Sequence, residues 1–405
     1  MAGTDWFRES FRHEFDQQSV AMGRFNLVIF GKTGVGKSTL INAIFGAEVA
    51  RTGIGEPVTR GSHLYLDTIG HLGIVDTQGL EVGIDNKAII SDLNSAMKSM
   101  RRMPLAEQIH VAWYCVRGMD RRFEDTEAEF ITRLDELGLP VIVVLTQVPK
   151  RSDVSSDGRS VVHSDGRSDI PSDGSTAEGP FHPDAVELAQ RIEARRLPIV
   201  GGRPFLTYAK PDPFSGQHAY GLTEVLDATF RVAPEGAHGA LVAAQEIDQV
   251  RKAKEAQKHI GVAAASAAAA AASPIPFSDA AMLVPIQLRM MARIAQIYKI
   301  KFDRAALMAI ASATAATSAG RATFTGLLKM VPGAGTVAGG VMGAGVATTF
   351  TYAMGQAWLT VCQRVVTGRF GGVGQVLDNA EIRDMFVDEF KKRLHVRTKD
   401  AKTQP

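Results

Sequence analysis

The residues Gly31-Lys32-Thr33-Gly34-Val35-Gly36-Lys37-Ser38 constrain this chain more than any others. They read G-x-x-x-x-G-K-S, a phosphate-binding loop when a strand precedes it and a helix follows. Both flanks comply. Phe25-Asn26-Leu27-Val28-Ile29-Phe30 is an apolar run with the length of a buried strand, and Thr39-Leu40-Ile41-Asn42-Ala43-Ile44-Phe45 reads as a helix stopped by Gly46. Gly34 and Gly36 let backbone N–H groups close on phosphate oxygens without a Cβ in the way. The start of the helix adds the positive end of its dipole. Lys37 is expected to reach the β- and γ-phosphates and Ser38 to ligate Mg²⁺. Gly31, Lys32, Thr33, Val35 and Thr39 complete the loop that lines the phosphates.

Two further signals follow at the right distance. Gly55-Glu56-Pro57-Val58-Thr59 places a threonine on the segment after the loop helix. In small GTPases a Thr on a mobile segment at this place is the usual second Mg²⁺ ligand, and its backbone can sense the γ-phosphate. Strands are expected around 63–69 and 72–75. The second runs into Asp76-Thr77-Gln78-Gly79, a D-x-x-G pattern. Asp76 would hold the Mg²⁺ shell, and the Gly79 N–H would meet the γ-phosphate.

Taken together, GKTGVGKSTLINAIFG, EPVT and DTQG resemble the Era-type, ribosome-assembly-like GTP-binding family across roughly residues 23–232. The resemblance implies an α/β P-loop fold, a doubly wound and mostly parallel sheet with the nucleotide at the carboxyl ends of its strands. It implies GTP and Mg²⁺ as cofactors. Lys37, Thr59 and Gly79 are then the groups that act on the γ-phosphate, and Ser38, Thr59 and Asp76 are the metal ligands.

Two positions depart from the family pattern. Leu80 stands where many GTPases place a water-orienting Gln, although Gln78 and Glu81 are close by. Members with such a replacement commonly use a dimer, a partner or potassium to hydrolyse quickly. Slow intrinsic turnover and a homodimer through the nucleotide domain are therefore expected. The second departure is in the base-reading motif, [N/T]-K-x-D in the family. A buried strand at 109–115 and a helix at 124–137 lead to a strand at 140–146 that ends in Thr146-Gln147-Val148-Pro149. Thr146 fits, but Gln147 replaces the Lys and Pro149 the Asp that reads guanine. Loss of a polar reader erodes discrimination by orders of magnitude. The remaining guanine contacts fall to backbone groups and to Tyr208-Ala209-Lys210, which resembles the S-A-K motif.

The rest of the domain is a helix at 183–195, a last strand at 203–208 and a closing helix from Gly221. Residues 151–180 interrupt it. Ser156-Asp157-Gly158-Arg159-Ser160 recurs at 164–168 with almost no apolar content, which marks a low-complexity surface insertion. Residues 1–22 read as an amphipathic helix, with Phe7, Phe11 and Phe15 on one face and Arg8, Glu9, Arg12 and Glu14 on the other. Packing on the nucleotide domain is the expectation for it, with a membrane or partner contact as the alternative.

From 233 to 405 the composition changes. A charged helix at 246–258 continues as an alanine-rich run, and 278–299 carries an apolar stripe at Leu283, Ile286, Met290, Ile294 and Ile297 with Pro285 kinking its start. Residues 305–320 are uncharged, and residues 330–363 carry no formal charge. Gly335, Gly339, Gly343, Ala347, Thr351 and Gly355 recur at every fourth position there, a ridge along which another helix can approach. An amphipathic helix is expected at 381–394. Ser273-Pro274-Ile275-Pro276-Phe277 and Val331-Pro332-Gly333-Ala334-Gly335 carry a resemblance to a bacterial domain of unknown function, found alone, fused to such GTPases, and sometimes in membrane proteins. An all-α C-terminal domain is implied.

Composition closes off other classes. A net charge of +2 offers no polycationic surface for nucleic acid. Two cysteines, Cys115 and Cys362, make neither a disulfide framework nor a zinc site and suit a reducing compartment. Asp5, Arg8 and Glu9 stand where a signal peptide would be apolar. The expectation is a GTP/GDP switch with slow Mg²⁺-dependent hydrolysis, cytoplasmic, its helical domain associated with the inner face of a membrane. Spanning helices compete with that last point, because the run at 330–363 is long enough, yet Gly, Ala and Thr gain little from insertion. A non-hydrolysing assembly protein that binds GTP or ATP, and a dynamin-like remodelling GTPase, are the competing functions.

Overall fold

The structure, a computed structural model, describes residues 2–46, 56–59, 62–67, 69–77, 94–95, 97–99, 101–150, 181–214, 216–271, 279–300, 344–368 and 379–400. The chain forms two compact units. One comprises Arg24–Leu241 with Gln245–Ile247, the other Met1–Gly23, Val242–Ala244 and Asp248–Pro405.

The first unit is built on a seven-stranded sheet of order β2-β3-β4-β1-β5-β6-β7. Its strands are β1 (Phe25–Phe30), β2 (Glu56–Thr59), β3 (Ser62–Leu66), β4 (Leu72–Thr77), β5 (Val111–Arg117), β6 (Val141–Thr146) and β7 (Phe205–Leu206). β4, β1, β5, β6 and β7 run parallel, whereas β2 and β3 pair antiparallel at one edge. β1 and β6 are buried along their whole length. Such continuous apolar strands need helices on both faces. On one face Phe30 meets Phe130 edge-on at 5.0 Å. On the other, Phe45 stacks on Trp113 at 5.7 Å, and the Trp113 indole N–H donates to the Thr229 hydroxyl at 3.1 Å.

The helices of this unit are α2 (Lys37–Phe45), α3 (Asp125–Glu136), α4 (Pro183–Ala194) and α5 (Leu222–Val232). α4 shows how local pattern becomes packing. His182 caps it by accepting from the Asp184 N–H, Pro183 starts it, and Ala185, Leu188 and Ile192 bury its inner face. Two elements differ from the sequence reading. Glu56–Thr59, where no strand was expected, is a strand whose Thr59 pairs with Ser62. The strand expected at 203–208 is only Phe205–Leu206, because the chain then turns so that Tyr208 pairs with Tyr220. The helix α6 (His238–Ala244) was not foreseen.

At the amino ends of β1 and β5, His110 accepts from the Asn26 backbone N–H through Nδ1 at 3.0 Å and approaches the Leu105 carbonyl through Nε2 at 2.8 Å. Asn26 donates its amide to the carbonyls of Ala106 and Gln108. Burial lowers the His110 pKa against the pull of the Leu105 carbonyl, and the charge of Arg24 lowers it further.

The second unit is helical: α1 (Ala2–Met22), α7 (Gln249–Ala271), α8 (Asp279–Ile297), α9 (Ala344–Val366) and α10 (Asn379–Asp400). α9 packs on α7, α8 and α10. Its Trp358 is fully buried and donates to the Met291 carbonyl at 2.9 Å. Gly355 lets the helices approach: a Cβ there would lie 2.8 Å from both Ile260 Cγ1 and Met290 Sδ. Ala347 and Thr351 of the same ridge are buried, while Gly335, Gly339, Gly343 and the run 305–320 lie outside the described residues. The buried Lys252 ammonium donates to the carbonyls of Ala243 at 3.0 Å and Ile297 at 2.9 Å, groups at the negative ends of α6 and α8. Helix α8 continues through Pro285.

The expectation that α1 packs on the nucleotide domain is corrected. α1 lies along α8 in the helical unit. Its phenylalanine stripe suits any apolar groove, and the polar face of α8 decides the partner. Arg289 pairs with Glu14 at 3.3 Å, Arg293 donates to the Gln18 carbonyl at 3.2 Å, and Gln296 donates to the Phe15 carbonyl at 3.0 Å. Among the described residues, no helix is long and apolar enough to cross a membrane.

Candidate functional site

The loop between β1 and α2 lies at the carboxyl end of the parallel strands, where ligands bind in doubly wound sheets. Two of its glycines are required by geometry. Gly31, at φ 134°, leaves no room for a Cβ, which would run into the Cys115 carbonyl oxygen. Gly36 is the left-handed N-cap of α2 at φ 100°. Lys37, the first residue of α2, folds its ammonium back over the loop and donates to the carbonyls of Gly31 at 2.8 Å and Lys32 at 3.1 Å. Thr33, Gly34, Ser38 and Thr39 are exposed, whereas Val35 is buried beneath the loop. The arrangement offers exposed backbone N–H groups at a helix start, one cation and one hydroxyl. That is the donor set a polyphosphate needs.

The last residue of β6 and the residue after it clamp the loop from one side. The buried Thr146 hydroxyl donates to the Val35 carbonyl, and the Gln147 amide donates to the Gly34 carbonyl at 3.2 Å. Gln147 reaches it because its own backbone is left-handed, at φ 54°. The replacement of the family's Lys by Gln thus keeps a donor on the loop. Val148 is buried, its N–H bonded to the Thr207 carbonyl at 3.0 Å. The Pro149 carbonyl accepts from the His182 N–H, and the proline ring presents no carboxylate at this position.

A second clamp holds the other side. Lys32 pairs with Glu124 at 3.1 Å. Glu124 is the N-cap of α3 in a capping box with Glu127, whose carboxylate also accepts from the Tyr114 hydroxyl at 3.1 Å. Partial burial depresses the Lys32 pKa, but the hydrogen bond to Glu124 and the charges of Glu127, Glu124 and Asp120 outweigh it and raise the pKa above the ordinary lysine value. The sequence reading took 124–137 as a helix but found neither this capping box, despite the Glu124-x-x-Glu127 spacing, nor its tie to the loop.

The remaining site residues are placed by backbone alone. Asp76 in β4 is in register with Ile29 of β1, two residues before Gly31, and with His63 of β3. Thr59 ends β2. Gln78, Gly79, Leu80, Glu81 and the insertion 151–180 lie outside the described residues. Ala209 and the exposed Lys210 follow Tyr208, which is locked to Tyr220 by a pair of backbone hydrogen bonds. Among the described residues no group of His, Cys, Asp and Glu gathers as a metal site by itself. A Mg²⁺ ion in this setting would instead be shared between protein and phosphate oxygens, which suits the hydroxyl of Ser38 at the start of α2.

Sheet order, loop geometry and the clamps from β6 define a P-loop nucleotide-binding protein. Residues 26–147 match the model of a family described as 50S ribosome-binding GTPase. Residues 239–380 match a domain of unknown function (DUF697). The chain is an N-terminal, Era-like P-loop GTPase domain fused to that C-terminal domain. It is similar to the tRNA modification GTPase MnmE of Pasteurella multocida, 27% identical over 154 residues, covering 37% of this chain and 32% of the relative. It is similar to cell division control protein 10 of Saccharomyces cerevisiae, 24% identical over 147 residues, covering 29% and 46%. A third similarity is to magnetosome membrane protein 22 of Magnetospirillum gryphiswaldense, 31% identical over 90 residues, covering 21% and 46%. The matches thus span 32% to 46% of the length of these relatives.

Proposed function

We propose that this protein is a guanine-nucleotide switch: it binds GTP and GDP, hydrolyses GTP slowly with Mg²⁺, and uses the nucleotide state to act on its helical domain. The observation that carries the reading is the clamp of Thr146 and Gln147 on the Val35 and Gly34 carbonyls. It couples the base-facing segment to the phosphate loop although the family's Lys and Asp are absent.

The chemistry needs no covalent intermediate. Lys37 neutralises charge on the β- and γ-phosphates, and the N–H groups of residues 34–38 hold the oxygens in place. Mg²⁺, held by Ser38, Thr59 and Asp76, would share that neutralisation. Gly79, which lies outside the described residues, is the group whose N–H would meet the γ-phosphate. Leu80 has no hydrogen bond to offer water, so turnover depends on a second copy of the domain, a partner or potassium. Coupling to the helical domain is supported by the path of the chain. The Glu246 N–H is bonded to the Ile44 carbonyl near the end of α2 at 2.8 Å, and α7 begins three residues later at Gln249. Cytoplasmic location and membrane association of the helical domain extend this reading. The uncharged run 330–363 and a relative named as a membrane protein support the membrane association, and the scarcity of cysteine suits the cytoplasmic location.

Pro149 favours a second reading, in which base selection is loose and ATP competes. Single-turnover hydrolysis of GTP and ATP by the purified chain, with Mg²⁺, in potassium and in sodium buffer and over a range of protein concentrations, tests both. Slow GTP turnover that rises with concentration or potassium supports the switch. Equal rates for GTP and ATP support the second reading, and absence of turnover under every condition leaves a nucleotide-binding assembly protein.

A further inference from the structure

We propose that Tyr220 is the positioning residue for base recognition, joining the two segments that face the base and so setting the preference for guanine over adenine. The proposal rests on the guanine-nucleotide reading above. No motif contains Tyr220, yet three sets of contacts converge on it. Its hydroxyl donates to the Val148 carbonyl at 2.6 Å, within the segment whose first two residues clamp the phosphate loop. Its backbone N–H and C=O pair with the C=O and N–H of Tyr208 at 3.0 and 3.1 Å, holding the start of Tyr208-Ala209-Lys210. Its ring lies under the Lys150 ammonium at 4.2 Å from the centroid and beside the Phe181 ring at 5.7 Å.

Among the described residues the two segments are also joined just beyond the short strand β7. The Val148 N–H reaches the Thr207 carbonyl at 3.0 Å, and the Thr207 N–H and hydroxyl reach the Leu145 carbonyl at 2.8 and 3.1 Å. Tyr220 closes the far side of that arrangement. It cannot drift, because the next residue, Gly221, is the left-handed N-cap of α5 and packs so closely on the Leu206 carbonyl that a Cβ would not fit. A phenol is a hydrogen-bond donor at neutral pH at its ordinary pKa of about 10, and burial raises that pKa further. With Pro149 where a carboxylate would read guanine, discrimination falls to the backbone N–H and C=O groups of these two segments. Backbone readers discriminate only when their spacing is held, and a side-chain bond across them does that.

The test is Tyr220→Phe in the full chain, with Mg²⁺, measuring dissociation constants for GTP, ATP and inorganic tripolyphosphate. Phe keeps the ring against Lys150 and Phe181 and removes only the hydroxyl. GTP affinity is expected to fall about fivefold, the value of one hydrogen bond. Tripolyphosphate affinity is expected to stay unchanged, and the ratio of GTP to ATP affinity to narrow. Tyr220→Leu, which also loses the cation over the ring, is expected to narrow the ratio further. Parallel loss of GTP and tripolyphosphate affinity would assign Tyr220 to the fold alone, and an unchanged ratio would likewise overturn the proposal. A wild-type chain that binds GTP no tighter than tripolyphosphate would defeat the guanine reading itself, an outcome distinct from failure at Tyr220.

Discussion

Replacing Thr146 by Val removes one hydroxyl and almost no volume. Thr146 is 2% exposed and its acceptor residue Val35 is 4% exposed, so water cannot easily take the place of the lost donor. Leaving a buried carbonyl without that partner costs about 1–3 kcal/mol. The Gln147 amide remains on the adjacent Gly34 carbonyl and limits how far the loop can relax. The net cost should therefore sit near the lower end, at about 1–2 kcal/mol. Part of it appears as lost stability. The rest appears as weaker binding, because the loop must be re-ordered around the phosphates. If all of it falls on binding, affinity drops by about five- to thirtyfold. Titration of GDP and tripolyphosphate, with thermal unfolding of the same samples, separates the two shares. Both ligands should weaken alike, since the perturbation lies under the phosphates. A Thr146→Val variant with unchanged melting temperature and GDP affinity within about twofold of wild type would refute the clamp, given the expected cost.

Lys37→Ala should lose about a hundredfold or more in nucleotide affinity with little change in melting temperature, because it removes a partly exposed cation that makes charge-assisted bonds; retained affinity in a binding titration would exclude Lys37 from the site. Gly355→Ala should destabilise the helical unit by about 1–3 kcal/mol, since the new methyl must displace Ile260 and Met290; two-domain unfolding curves should show that loss while nucleotide affinity stays constant, and an unshifted helical transition would contradict the packing. His110 should make the nucleotide unit pH-sensitive. Its folded-state pKa lies below the ordinary 6.5, so the stability it contributes is complete above pH 6.5 and is lost as pH falls through the lowered value. Protonation of Nδ1 breaks the bond from the Asn26 N–H. Wild type should therefore lose melting temperature more steeply below pH 6.5 than His110→Gln, and parallel slopes would count against it.

The parts of the fold that were legible in the sequence are those set by neighbouring residues. Phe25–Phe30, the glycine loop and Lys37–Phe45 follow from one motif and its flanks. Phe205–Leu206 proved shorter than its apolar run suggests, because pairing between Tyr208 and Tyr220, twelve residues apart, pulls the chain off the sheet. His238–Ala244 was missed because HGALVAA is too short and too uniformly apolar to show a helical period. The partner of α1 was misread for a different reason. Three aromatic residues at fourfold spacing say that a face is buried but not against what, and the answer lay in Arg289, Arg293 and Gln296, 275 to 281 residues away from their partners. In the site, Gln147 looked like a lost lysine. Only its left-handed backbone, which turns the amide to Gly34, shows that a loop contact survives the substitution. Tyr220 and the Lys32–Glu124 pair carried no signal, since contacts across 72 and 92 residues leave no local pattern.

Equilibrium titration of the purified full chain with GTP, GDP and ATP, each with Mg²⁺ and with a chelator, bears most directly on the central claim. The account predicts saturable one-site binding of GTP and GDP, weaker binding of ATP, and a loss of GTP affinity on chelation that exceeds the loss for GDP. Binding of ATP as tight as GTP, or no saturable binding of any of the three, would contradict it.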